Sequence, residues 1–116
     1  SLLGWGDPRA AAAVESVRGC EVAIYASPTF KGTYTGLLKL FLDQIPTDGL
    51  AGTLAFPVML GAAAGHAMAP DLLLKPVLVE LGASCPAKGL YLLETEYTSE
   101  LIIDPWLARA RPFLPG

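Results

Sequence analysis

The sequence predicts an α/β protein: a parallel sheet of buried strands with helices flanking it. Three observations predict it. Short apolar runs without charge stand at Val22-Ala23-Ile24-Tyr25-Ala26, Leu54-Ala55-Phe56-Pro57-Val58-Met59-Leu60 and Leu90-Tyr91-Leu92-Leu93, as in strands buried on both faces. Between them apolar residues recur at helical spacing, at Leu37, Leu38, Phe41 and Leu42 and again at Leu72, Leu73, Leu74, Val77, Leu78 and Leu81. The order is helix, strand, helix, strand, helix, strand, helix, and such alternation gives a parallel sheet with right-handed crossovers.

The residues at each boundary justify the elements in turn. Ser1 to Gly6 reads as irregular. Asp7 is expected to cap a first helix with Pro8 at its first position, running through Ala10 to Val17 and ended by Gly19. The first strand follows, expected from about Val22 to Ala26, with Pro28 just past its end. The second helix is expected from about Thr35 to Gln44, before Pro46, and Gly49-Leu50-Ala51-Gly52 turns into the second strand. Pro57 has no amide to donate to a ladder, so it implies an edge, a bulge, or a neighbour's carbonyl satisfied elsewhere. The third helix contains Pro70 and Pro76 and ends at Gly82. Pro70 suits a first turn, whereas Pro76 should kink the helix or change its hydrogen bonding. The last strand is followed by a loop from Tyr97 and a short helix expected from Asp104, with Pro105 at its first position.

The 116 residues make one domain. With 53% hydrophobic and 16% charged residues, the chain reads either as a slice of a larger domain or as one whose surface partner subunits cover. A net charge of -3 leaves no basic footprint for nucleic acid. The uncharged stretch from Gly49 to Pro70, apart from His66, is broken by glycines and Pro57, which argues against a membrane span. No basic-then-apolar leader opens the chain, and a cytoplasmic location is expected. Cys20 and Cys85 lack metal-ligand spacing and read as reduced thiols in or near the core, with a disulfide left open. No metal site is expected: Glu94, Glu96 and Glu100 read as a solvated acidic loop.

Ser27-Pro28-Thr29-Phe30-Lys31-Gly32-Thr33-Tyr34-Thr35-Gly36-Leu37-Leu38-Lys39 resembles the flavin-contacting segment of the NADPH-dependent FMN reductases, and Gly61 to Pro76 is a second match at fitting spacing. The resemblance implies a flavodoxin-like domain spanning residues 1–116, matching the C-terminal part of such enzymes. In the sheet order 2-1-3-4-5 the three strands correspond to strands 3, 4 and 5, so the first βαβ half-unit, with the loop that grips the flavin phosphate, has no counterpart. No Walker or GxGxxG motif replaces it. Ser1 in place of Met suggests a processed, tag-cleaved or truncated product. Because the missing half-unit would leave a bare apolar strand edge and no phosphate site, the chain is expected to be N-terminally incomplete, the half-unit needing about 40 to 60 residues. A standalone protein would need another chain to cover that edge.

What the resemblance implies about function is NAD(P)H-dependent reduction of FMN, with hydride passing to flavin N5, and in several members a supply of reduced flavin to a monooxygenase. It also implies a homodimer or homotetramer. The flavin carries the chemistry and the protein orients it, so no catalytic acid or base is expected. The expected flavin-binding residues are Pro28, Thr29, Phe30, Lys31 and Gly32 in the first loop, and Gly61, Ala62, Ala63 and His66 in the second. Pro28 to Lys31 offers a close backbone and an aromatic or aliphatic wall to a flat ring, and Gly32 allows a tight turn. The small residues from Gly61 to Gly65 let a ring approach amide donors. The plain alternatives are a βα loop with Phe30 in the core, and a flexible connector.

His66 is placed at a helix start, where the dipole disfavours its protonated form, and reads as a cap or flavin-edge hydrogen-bonding group. Lys31 could attract an anionic ligand, while Lys39 is a helix cation. Some two-component members carry an aromatic residue near the position of Leu72, tied to altered helix winding and flavin transfer. Leu72 departs from that, and that mode of flavin release is not carried over. Two other functions compete: a flavin-free scaffold or assembly subunit, and a flavodoxin-like electron carrier. Without its phosphate loop the chain alone is expected to bind FMN weakly.

Overall fold

The computed structural model describes residues 8–95 and 99–115. The elements are α1 (Pro8–Arg18), β1 (Val22–Pro28), α2 (Gly36–Leu42), β2 (Leu54–Gly61), a 3-10 turn (Ala64–His66), a π-helical turn (Pro70–Leu74), α3 (Lys75–Glu80), β3 (Leu90–Leu93), α4 (Glu100–Ala110) and a 3-10 turn (Arg111–Phe113). The expected irregular opening, the Asp7 cap, Glu96 and the start of the tail at Tyr97 lie outside the described residues.

The strands form one parallel sheet in the order β1-β2-β3. Val22 stands opposite Leu54, and Val58 opposite Leu90. Side chains alternate between the two faces, and the core divides accordingly. Tyr25, Ala55 and Met59 pack with Val14 of α1, Leu42 of α2, and Leu74 and Leu78 of the third helix. On the other face Phe56, Val58, Leu90 and Leu92 pack with Trp106 and Ala110 of α4. Leu42, Leu50, Met59, Leu74 and Leu78 are fully buried, each contributing about 1.5–3 kcal/mol. Trp106 meets Phe56 edge to face at 5.9 Å and donates its indole N–H to Lys88 O at 2.7 Å. Burial pushes the phenol of Tyr25 up from its ordinary pKa, with smaller contributions from Cys20 and Cys85 nearby. Cys85 is half-buried and raised for the same first reason, whereas Cys20 is exposed.

Pro57 and Pro76 find positions where no donor is needed. Ala55 N–H donates to Ser84 O, so the odd residues of β2 face the β3 side. Pro57 falls there between the Leu54–Ser84 bridge and the start of the β3 ladder at Val58, which is neither an edge nor a bulge. In the third helix Lys75 N–H donates to Pro70 O, five residues back. That wide turn restarts the helix at Lys75 and makes Pro76 its second residue, where a missing amide costs nothing. Leu72 lies inside the widened turn, so the altered winding forms here without an aromatic residue. The turn is fastened from outside: Asp71 Oδ1 accepts from Gly89 N–H at 2.7 Å and pairs with Lys75 Nζ at 2.9 Å, and that Nζ also donates to Ala87 O.

Three boundaries differ from expectation. β1 runs past Ala26 to Pro28, its ladder continuing opposite Leu60. α2 ends at Leu42 because Gln44 and Ile45 donate to carbonyls only three residues back, tightening the last turn. α4 begins at Glu100, not Asp104: Ile102 and Ile103 N–H close onto Ser99 O, so Pro105 lies inside the helix. The bond its ring removes would have ended on the carbonyl of Leu101, whose side chain is 86% exposed.

Candidate functional site

In an open parallel sheet, ligands bind beyond the carboxyl ends of the strands. Here the tips of β1 and β2 meet. The first loop begins at Thr29, whose N–H still donates to Leu60 O at 2.7 Å. Phe30 and Thr33 then exchange two backbone hydrogen bonds, at 2.9 and 3.2 Å, around Lys31 and Gly32. Both central residues have positive φ, +54° and +81°, as in the tight turn of a two-residue hairpin. Gly32 therefore serves the turn as expected, and Lys31 stands exposed at its apex. Phe30 is 63% exposed, which overturns the plain reading of a core side chain: a residue paired at the base of a protruding turn cannot reach the interior.

The loop is tied back to its strand by Ser27, which is buried. Its Oγ donates to Pro28 O at 2.8 Å and accepts Thr35 N–H at 3.0 Å. Thr35 in turn caps α2, its Oγ1 accepting Leu38 N–H at 3.1 Å. Lys39 pairs with Asp43 one turn along at 2.7 Å, an exposed contact that raises its pKa through that hydrogen bond. It is engaged on its own helix.

The second loop leaves β2 at Gly61, which is buried, while Ala62, Ala63, Gly65 and His66 are exposed. His66 closes the 3-10 turn instead of opening a helix, so the expected N-terminal dipole effect has no basis here. A Cβ on Gly32 would lie 3.6 Å from His66 Nε2, and one on Gly61 would lie 3.3 Å from Thr29 Cβ. The two loops are thus packed against each other at both ends. A cavity of about 200 Å³ opens beside them, lined by Gly32, Gly65, His66, Met68, Leu72 and Leu73, among others. No hydrogen bond among the described residues uses the amide N–H of Ala62, Ala63, Ala64 or Gly65. Thr29 Oγ1 is buried and also lacks a partner among them.

Three residues near the site carry roles the sequence did not announce. Ser27 reads in sequence as the residue just past the first strand that opens the flavin-contacting segment, with no tying role, although a small polar residue closing an apolar run is a signal for such a tie. Asp71 fixes the start of the third helix, and Tyr91 reaches from β3 to donate to Ala63 O at 2.6 Å.

The family model for NADPH-dependent FMN reductase matches residues 5–98. The chain belongs to this family. The FMN reductase (NADPH) of Escherichia coli (strain K12) is 35% identical over 77 residues, covering 66% of this chain and 40% of that protein. The corresponding FMN reductase (NADPH) of Pseudomonas aeruginosa is 32% identical over 104 residues, covering 86% and 54%. The chain thus spans about half the length of the curated relatives it matches. Among solved structures, the apo form of an NADH:FMN oxidoreductase (EMOB) superposes with a TM-score of 0.85 at 27% identity, covering 96% of this chain and 61% of that one. The sheet and its flanking helices are therefore flavodoxin-like, as expected. These matches favour the reductase family over the scaffold and electron-carrier alternatives. Among the described residues no helix is long and apolar enough to cross a membrane.

Proposed function

We propose that this chain supplies the flavin-ring half of an NAD(P)H-dependent FMN reductase. The observation that carries the reading is the meeting of the two loops: Thr29 against Gly61, and Gly32 against His66, with four consecutive amides beside them that donate to no partner among the described residues. The residues fit the group. Isoalloxazine is a flat apolar ring with polar edges; the exposed Phe30 and the Pro28–Thr29 backbone offer it a wall, and the amides from Ala62 to Gly65 offer donors to an edge. When bound, FMN supplies the capacity to accept hydride from nicotinamide. Pro28, Thr29, Phe30, Lys31 and Gly32, with Gly61, Ala62, Ala63 and His66, orient it. The relatives include enzymes named for NADPH and for NADH.

The flavin phosphate is gripped, in this reading, by polypeptide outside these 116 residues that pairs with the outer edge of β1. Support comes from the edge itself. Among the described residues no strand covers it, Ile24 is 63% exposed, and an apolar cavity of about 240 Å³ beside it is lined by Val22, Ile24, Phe56, Trp106 and Leu107, among others. The exposed Met68, Leu72 and Leu73 support a homo-oligomer, dimer or tetramer. The free thiols Cys20 and Cys85 fit a reducing, cytoplasmic setting. Delivery of reduced flavin to a monooxygenase completes the proposal.

The test is titration with FMN, followed by quenching of flavin fluorescence, together with FMN-dependent oxidation of NADH and NADPH. The chain joined to its phosphate-gripping segment is expected to quench and turn over, while residues 1–116 alone bind weakly. Tight binding by the 116 residues alone would overturn the divided site. Absence of quenching by the joined chain would overturn the flavin reading.

A further inference from the structure

We infer that Tyr91 is the positioning residue that sets the second loop in its ligand-receiving shape. The consequence for flavin rests on the function proposed above; the geometry does not.

Tyr91 lies in β3 opposite Met59 of β2, with its ring partly buried against the main core. Its hydroxyl donates to Ala63 O at 2.6 Å. That carbonyl also accepts His66 N–H at 3.3 Å, the bond that winds the 3-10 turn bearing the histidine. The same hydroxyl fills the space a side chain on Gly61 would take: a Cβ there would collide with the phenol oxygen and come within 2.9 Å of Cζ. On its other side that Cβ position meets Thr29 Cβ at 3.3 Å. One oxygen atom from a third strand is therefore wedged at the junction of both loops. It fixes the carbonyl from which His66 hangs, and among the described residues none of the amides from Ala62 to Gly65 is drawn into a hydrogen bond. Gly61 is glycine because this oxygen needs the room.

Tyr91→Phe keeps the ring and removes only the hydroxyl, so it separates positioning from packing. In flavin-free protein, backbone order parameters at Ala62 to His66 should fall from about 0.85 towards 0.6 or lower, with Leu54 to Leu60 unchanged. FMN affinity should weaken about five- to tenfold, the usual worth of one lost hydrogen bond. Loop order unchanged in Tyr91→Phe, or sheet and loop loosening together, overturns the inference. Gly61→Ala pushes on the same oxygen from below and should loosen the same amides. Adding Tyr91→Phe to it should recover part of the order, and a simple sum of the two effects contradicts the wedge. If the chain joined to its phosphate-gripping segment binds no flavin, the flavin reading fails while the order parameters still decide the role of Tyr91.

Discussion

The two loops at the sheet's carboxyl edge are held by different means. The loop after β1 carries its own fastenings: the paired bonds between Phe30 and Thr33, and the tie from Ser27 to Thr35, span at most eight residues. The loop after β2 borrows its fastening from β3, where Tyr91 holds Ala63 from 28 residues away. The first is a locally determined turn, and the second takes its shape from the assembled sheet. A site built from both should form only when β3 has docked, whatever the first loop does.

Four substitutions separate the two kinds of fastening. The largest effect is expected from Gly61→Val. Its branched side chain has nowhere to go between Tyr91 and Thr29, so unfolding free energy in urea should fall by about 3 kcal/mol, with FMN binding lost. A stable, flavin-binding Gly61→Val protein would remove the basis for the borrowed fastening. Ser27→Ala strikes the first loop alone. It leaves Thr35 N–H without its buried acceptor and should cost about 2 kcal/mol, while NMR signals of Ala62 to His66 stay in place. Movement of the second loop's signals would mean the two loops are not independently held. Thr35→Ala removes only the cap of α2 and should lower stability by about 1 kcal/mol in thermal melts. His66→Ala, an exposed site, should change stability by less than about 0.5 kcal/mol yet weaken FMN binding severalfold. An unchanged affinity would take His66 out of the site.

The same contrast explains what the sequence made legible. Strands β1, β2 and β3 begin where the apolar runs begin, but the expected burial on both faces holds only for β2: in β1 Ile24 and Ala26 are exposed, because that strand is the sheet's outer edge among the described residues. The first loop was readable in its turn, since Gly32 acts within its own segment, whereas Thr35, expected as the helix's first residue, is its cap. The second loop was readable in composition, as small residues after a strand, but its support was not. Nothing local marks Tyr91 as more than a strand aromatic. The third helix was half legible: two prolines six residues apart announce a fault in the ladder, but not that it takes the form of a π turn fastened by Asp71 to Gly89. The start of α4 was misplaced because a proline at a first position is the common case, and here Pro105 sits one turn further in. Phe30 was open between core and site until the turn's protrusion exposed it.

The central claim is that both loops contact one flat ring. Its most direct measurement is an NMR titration of ¹⁵N-labelled protein with FMN, following backbone amides of Thr29 to Thr33 and of Ala62 to His66. The account predicts that both sets shift together along a single saturation curve, with the outer helices still. Shifts confined to one loop, or to neither, would contradict it.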